Sequence, residues 1–422
     1  MLTDQLGQRG PFEEAIEVGQ RGMALARRIG AQNELVRLTC LTAGNQLKVG
    51  RTQEAHSLML PLRDWVDREA DDDLRKIWYG YWAAVLGHIG RLREGVAGYD
   101  VASACAERSG ARAMVSMALT NQCVVLRTMG ALQRATNASW RGLELLPADA
   151  DSANRRLARP MHARNEAKSG HFGAALSTLE ELLPHLEAME APFWVTAVRA
   201  TQARLWQHLG QHARALQALQ GLQSDSASVA AWMQAGLLWI RLEIEQWLGK
   251  PLAAGLSQRA LAMLDGNANR RTGNAVRGLR SEPPSGVLKQ AASLADSARS
   301  QELFIVLAAL QMHRARAAMA LHQHGEAATA ARARVGLLAE GYVPDFSYTP
   351  EAWLLATQAF RAAGEIEAAQ AALSAGQHWV RTQALPAVPA PFIDSFLHRN
   401  PVNRALMAAA GSPGPDPARS NL

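Results

Sequence analysis

Cysteine, lysine and aromatic side chains are scarce in this 422-residue chain, and each scarcity narrows what it can be. The three cysteines, Cys40, Cys105 and Cys123, give neither an even disulfide set nor a metal-ligand spacing. Aromatics make up 6% of the residues and β-branched residues are sparse, which argues against a sheet protein. No apolar run approaches the roughly 18 residues that a membrane helix needs. The N-terminal stretch MLTDQLGQRGPFEEAIE lacks the basic segment and apolar core of a secretory signal, so the expected location is cytoplasmic, without membrane contact. Also missing are G-x-x-x-x-G-K-[ST], H-E-x-x-H, G-x-S-x-G and any glycine fingerprint after a strand. The expectation is therefore a protein that is not an enzyme and uses no cofactor. Lysine occurs only at Lys48, Lys76, Lys168, Lys250 and Lys289, so the formal charge of +6 is carried almost wholly by arginine. Those arginines are scattered among Glu and Asp rather than gathered in a block, and no direct nucleic-acid contact is expected.

What is abundant is alanine, leucine and a regularly placed glycine. Gly10, Gly50, Gly90, Gly130, Gly170 and Gly210 recur every 40 residues, and Gly249, Gly286, Gly325 and Gly364 continue the series with shorter steps. Five residues after each stands an alanine (Ala15, Ala55, Ala135, Ala175, Ala215, Ala254, Ala291, Ala330, Ala369), except at the still smaller Gly95. Seven residues before the glycine another small side chain is common: Ala43, Ala83, Cys123, Ala163, Ala203, Ala318 and Thr357, with Leu242 the exception. A fixed period with small residues at fixed offsets is the signature of a stacked repeat. Within one unit, Ile77, Tyr81, Trp82, Val85, Leu86 and Ile89 trace one apolar helical stripe. Gly90 ends that helix, and Leu92, Val96, Tyr99, Val101, Ala102 and Cys105 trace the return helix. Each unit is thus a hairpin of helix A and helix B whose small residues allow close approach.

A small residue, a large apolar one near the turn (Leu86, Leu126, Trp206, Leu321, Phe360), a turn glycine and an alanine five later resemble the tetratricopeptide repeat. Gly170-His-Phe-Gly-Ala-Ala175 and Gly364-Glu-Ile-Glu-Ala-Ala369 are the clearest copies. The usual unit is about 34 residues, and the longer one here resembles the sensor region of bacterial ATPase-type transcriptional regulators of the maltose-activator type. FxxSFLxRNPVNRxL, from Phe392 to Leu406, is similar to the C-terminal end of such regulators. The resemblance implies an all-α fold, a right-handed superhelix of about ten hairpins, and a binding function within a bacterial signalling regulator. It implies equally a regulator fragment sensing a small effector, its ATPase and DNA-binding modules lying outside this chain.

The organisation expected from these patterns is a repeat array over 1–264 with an incomplete first unit, then a degenerate or flexible segment over 265–285. A second array covers 286–384, a capping segment 385–410 lies over the last hairpin, and a disordered tail fills 411–422. GLSQRALAMLDGNANR faintly resembles a DNA-reading helix-turn-helix, but Gly249 and Ala254 keep it in repeat register as helix B. His208 with His212, and His322 with His324, are interrupted by a turn or point apart, so no metal site is expected. Projection of helix A gives a candidate concave groove of Arg37, Asn45, His88, Asn121, Arg127, Arg164, Lys168 and Arg204. Cationic and amide groups in series suit the backbone and carboxylates of a protein or peptide partner. The uncapped N-terminal end adds an expectation of self-association.

Overall fold

The computed structural model describes residues 12–146, 153–188, 192–220, 222, 231–250, 282–300, 304–343 and 347–409. Among them are twenty α-helices and no strand. The first is α1 (Phe12–Arg28), followed by α2 (Gln32–Lys48) with its return helices α3 (Thr52–Met59) and α4 (Arg63–Glu69). Hairpins then follow in order: α5 (Asp72–His88) with α6 (Leu92–Arg108), α7 (Arg112–Met129) with α8 (Leu132–Glu144), α9 (Ala153–Ser169) with α10 (Phe172–Ala188), and α11 (Pro192–His208) with α12 (His212–Leu219). Beyond α13 (Ala231–Trp247) and α14 (Pro284–Ser300) come α15 (Phe304–Ala320) with α16 (His324–Ala339), α17 (Pro350–Ala362) with α18 (Ile366–His378), and the short α19 (Ile393–His398) and α20 (Pro401–Ala408). Each helix packs mainly on its sequence neighbours, which makes an α-solenoid.

The glycine series is a series of helix C-caps. Gly50, Gly90, Gly130, Gly170, Gly210, Gly249 and Gly364 all take a left-handed conformation, with φ between +73° and +94°. The next amide then reaches back five residues, as in Arg91 N–H to Leu86 O and Gln211 N–H to Trp206 O, and satisfies a carbonyl that the helix end leaves open. The offsets are equally physical. Ala55, Ala135, Ala175, Ala215, Ala43, Ala83, Cys123 and Ala203 are fully buried between helix A and helix B. At Gly95, where other units have alanine, a Cβ would stand 3.1 Å from the Ala83 carbonyl.

The period slips in the later units. Gly325 lies inside α16 and Gly286 inside α14, so neither is a turn. The turn before α16 is made by His322, at φ +57°, with Gln323 N–H bonded to Ala318 O. Counted from His322, the small residues are Ala315 and Ala327, each 0% exposed, so the spacing rule survives with its origin moved three residues back. The helix B expected after Gly249, the degenerate segment as far as residue 281 and the 411–422 tail lie outside the described residues.

The C-terminal segment leaves the repeat pattern and turns back on the array. α20 packs on α17 and α18, while the connection between α16 and α17, the stretch after α18 and the C-terminal segment reach the turns of three earlier units in succession. Val343 N–H bonds Gly130 O at 3.1 Å, and Ala131 pairs with Tyr342 in an isolated bridge. Gly170 lies against Trp379 and Ala384. Ser395 Oγ donates to Leu209 O at 2.7 Å, and Asn400 Nδ2 donates to His208 O at 2.8 Å. Phe172, Leu179 and Leu209 share one buried core with Trp379, Val380, Phe396 and Leu406. The solenoid is therefore clasped by its own C-terminal segment.

The FxxSFLxRNPVNRxL residues build this clasp. Phe396 fills the core against Phe172, ring centroids 5.7 Å apart. Asn400 caps α20 through the amides of Val402 and Asn403, Pro401 opens that helix, and Asn403 Oδ1 accepts from the Tyr348 hydroxyl.

Candidate functional site

A 40-residue period means that residues 40 apart face the same way. On helix A the rows 37/77/117, 41/81/121/161/201, 44/84/124/164/204 and 48/88/128/168/208 form one stripe at i, i+4, i+7 and i+11. Six of the eight groove candidates fall on it: Arg37, His88, Asn121, Arg164, Lys168 and Arg204. Adjacent units touch along it, for Tyr81 lies so close over Gly44 that a Cβ there would meet its ring at 2.6 Å. Projection failed for the other two. Asn45 and Arg127 are each one position off the stripe and are buried, at 4% and 6% exposure. Arg127 Nη1 approaches Asn165 Oδ1 at 3.5 Å inside the array rather than facing solvent.

The six divide into two groups. Lys168 donates to Ser347 O at 2.5 Å, and Arg204 is paired with the buried carboxylate of Glu243, so both serve the clasped half of the molecule. The stripe on α2 and α5 is not crossed by these contacts, and α7 is met at its C-terminal turn by Tyr342 and Val343. Arg37 is partly exposed with Glu34 at 3.9 Å, His88 is half-buried, and Asn121 is exposed. Arg164, on α9, is half-buried between the two groups. Met117, one turn before Asn121, is 39% exposed on the same stripe. Tyr81, Met117 and Val124 were missed by searching only for polar groups, although the period places them in the same rows.

A polar network behind α7–α9 has the composition of a hydrolase triad but not its logic. Ser139 Oγ lies 3.0 Å from His162 Nδ1, and His162 Nε2 lies 3.8 Å from Glu166. Ser139 is wholly buried, and its hydroxyl donates to Thr136 O at 2.9 Å. It also accepts from Asn165 Nδ2 at 3.1 Å. A hydroxyl wholly buried and surrounded by Thr136 O, Asn165 Nδ2 and His162 has no access to substrate and acts as a packing element. Burial pushes the Cys40 thiol far up, so that it stays protonated. Among the described residues no group of three or more His, Cys, Asp or Glu side chains could hold a metal ion, and no helix is long and apolar enough to cross a membrane.

No family model matches the chain, and no curated protein matches it significantly. Solved structures do. The Rap protein complexed with competence and sporulation factor superposes with a TM-score of 0.62 at 13% identity, covering 80% of this chain and 95% of its own. The P58(IPK) TPR domain covers 89% of this chain and 99% of its own at 12% identity, but with a TM-score of 0.24 it adds nothing to the assignment. At such identities the likeness to Rap is one of fold. The repeat geometry and this likeness together make the chain an all-α solenoid of tetratricopeptide-like repeats.

Proposed function

We propose that this chain is a non-catalytic scaffold that binds a protein or peptide segment along the helix A stripe, as the sensing arm of a bacterial signalling regulator. The observation that carries the reading is the stripe on α2, α5 and α7, where Arg37, His88, Asn121 and the exposed Met117 lie on one helix A face. Cationic and amide groups beside exposed apolar ones, spread over successive helices of one face, suit the carbonyls and side chains of an extended peptide. The Rap structure, solved in complex with competence and sporulation factor, supports a binding role by analogy of fold.

The test is capture of partners from a bacterial lysate by three full-length proteins: wild type, the double variant Arg37→Glu/Asn121→Ala, and Arg112→Glu with Met117 intact. Retention of one partner by wild type and Arg112→Glu, with at least about tenfold loss in the double variant, is the expected result, equivalent to about 1.4 kcal/mol. Equal retention by all three removes the stripe as the binding surface.

A further inference from the structure

Four arginines lie on the facing helices α15 and α16, and three of them have a carboxylate. Arg314 pairs with Glu326 at 2.5 Å, Arg316 with Glu351, and Arg332 with Glu365. Arg334 has none. It is 1% exposed, and its Nε, Nη1 and Nη2 atoms all lack a hydrogen-bond partner. Burying one unsatisfied cation is among the costliest arrangements a core can hold. Glu351 is the carboxylate that acts on it electrostatically, but that group is already held by Arg316. Burial pulls the Arg334 guanidinium down to about 10, which leaves it charged at neutral pH.

The repeat register makes the position still less ordinary. Arg334 stands twelve residues after its turn residue, His322. The same offset in other units gives Ala102, Gly142, Leu182 and Gly376, all buried and none charged. At Gly142 a Cβ would already stand 3.2 Å from the Ser116 carbonyl, and at Gly376 one would meet Leu406 at 3.0 Å. Around α16 the core is built of small side chains, with Ala315, Ala327, Ala330, Ala331, Ala352 and Ala356 in one cluster. An arginine stem fits among these alanines, and the charge it brings is one more than the carboxylates paired on α15 and α16 neutralise.

We propose that Arg334 is the anchor of an oxyanion site between α15, α16 and α17, which takes a carboxylate or phosphate group as the missing fourth counter-charge. The planar guanidinium offers a two-pronged donor edge suited to either group. The anion reaches it when α16 and α17 part by the width of a side chain, and once bound it holds them together. This site does not depend on the helix A stripe.

Thermal melts of the full-length protein in sodium phosphate, sodium acetate and sodium chloride at matched ionic strength test it. Wild type is expected to show a saturable rise in Tm with phosphate or acetate beyond that with chloride, since an anion that binds only the native state stabilises it. The salt that works identifies the source as phosphate or carboxylate. Arg334→Met is expected to lose the rise and to melt above wild type in chloride, because the unpaired charge is gone. Arg332→Met, at an exposed ion pair, keeps the rise. If Arg334→Met does not fold, Arg334→Lys decides: it retains charge without the fork, and its half-saturating anion concentration is expected to be at least about tenfold higher. Absence of the rise in wild type overturns the site. So does an unchanged rise in Arg334→Met or an unchanged affinity in Arg334→Lys.

Discussion

Replacing Gly210 with alanine is expected to unseat the C-terminal clasp and to destabilise the protein by about 2–5 kcal/mol. Two costs add. Gly210 holds φ at +73°, where an L side chain is strained, and its new Cβ would lie 2.2 Å from the Ser395 carbonyl oxygen and 3.0 Å from the Asn400 nitrogen. Both neighbours are backbone, so no side-chain rotation relieves the clash. The α19–α20 segment must move away, and with it go the Asn400–His208 and Ser395–Leu209 bonds and the Phe396 contact with Phe172. Gly90→Ala is the matched control. Its φ is +88° but nothing lies within 4 Å of a Cβ there, so only the backbone cost of about 1 kcal/mol applies. Urea unfolding gives the stability difference, and amide hydrogen exchange over residues 393–408 locates it. Loss of protection there in Gly210→Ala, with protection kept in Gly90→Ala, is the expected pattern. Equal effects of the two substitutions would show that the clasp contributes nothing at this turn.

Mild acid is expected to weaken the same junction. His208 is buried among Phe172, Trp247 and Tyr348. Burial above all, then the positive charges of Lys168 and Arg204, holds its imidazole well below its ordinary value of 6.5. The sign follows from where the proton goes. Above pH 6.5 neither the folded nor the unfolded chain protonates this residue, and stability does not depend on it. As pH falls through 6.5 the unfolded chain takes up a proton that the folded chain refuses, and stability drops until the depressed folded pKa is reached. Within that window one histidine contributes a slope of up to about 1.4 kcal/mol per pH unit. His212, beside it, and His162 and His56 elsewhere are also lowered, chiefly by burial, and act in the same direction. Denaturation measured from about pH 8 to about pH 5 should show the decline. His208→Gln should flatten the part of it reported by exchange at the clasp. A variant with the wild-type slope would assign the titration to the other histidines.

Most of the architecture was legible because it rests on local chemistry repeated along the chain. A glycine at a helix C-cap and an alanine between two helices leave a signature that needs no knowledge of distant contacts. The slip at His322 shows the limit of that signature. A nearby glycine, Gly325, kept the apparent series going, although the left-handed turn had passed to a histidine three residues earlier. The stripe was half legible for a related reason. Choosing residues by polarity admitted Asn45 and Arg127, whereas strict 40-residue rows exclude them and bring in Tyr81, Met117 and Val124. The clasp was not legible as a contact at all. Its Asn400 meets His208 across 192 residues, and no periodicity relates the two segments. Only their chemistry hinted at it: RNPVNR is too polar for an ordinary cap unless its amides have backbone partners.

The clasp also sets an order of events during synthesis. Open repeat arrays settle as they emerge, each unit needing only its neighbour. Here the rim at Phe172 and Leu209 leaves the ribosome long before its cover, since Ser395 follows Leu209 by 186 residues. At ordinary elongation rates that interval lasts about 10–40 s. For that time the middle of the array presents an apolar rim and open backbone carbonyls, and a stretch translated much later is the one that shields them. A ribosome stalled shortly before residue 392 would therefore hold a nascent chain that is mostly folded yet adhesive.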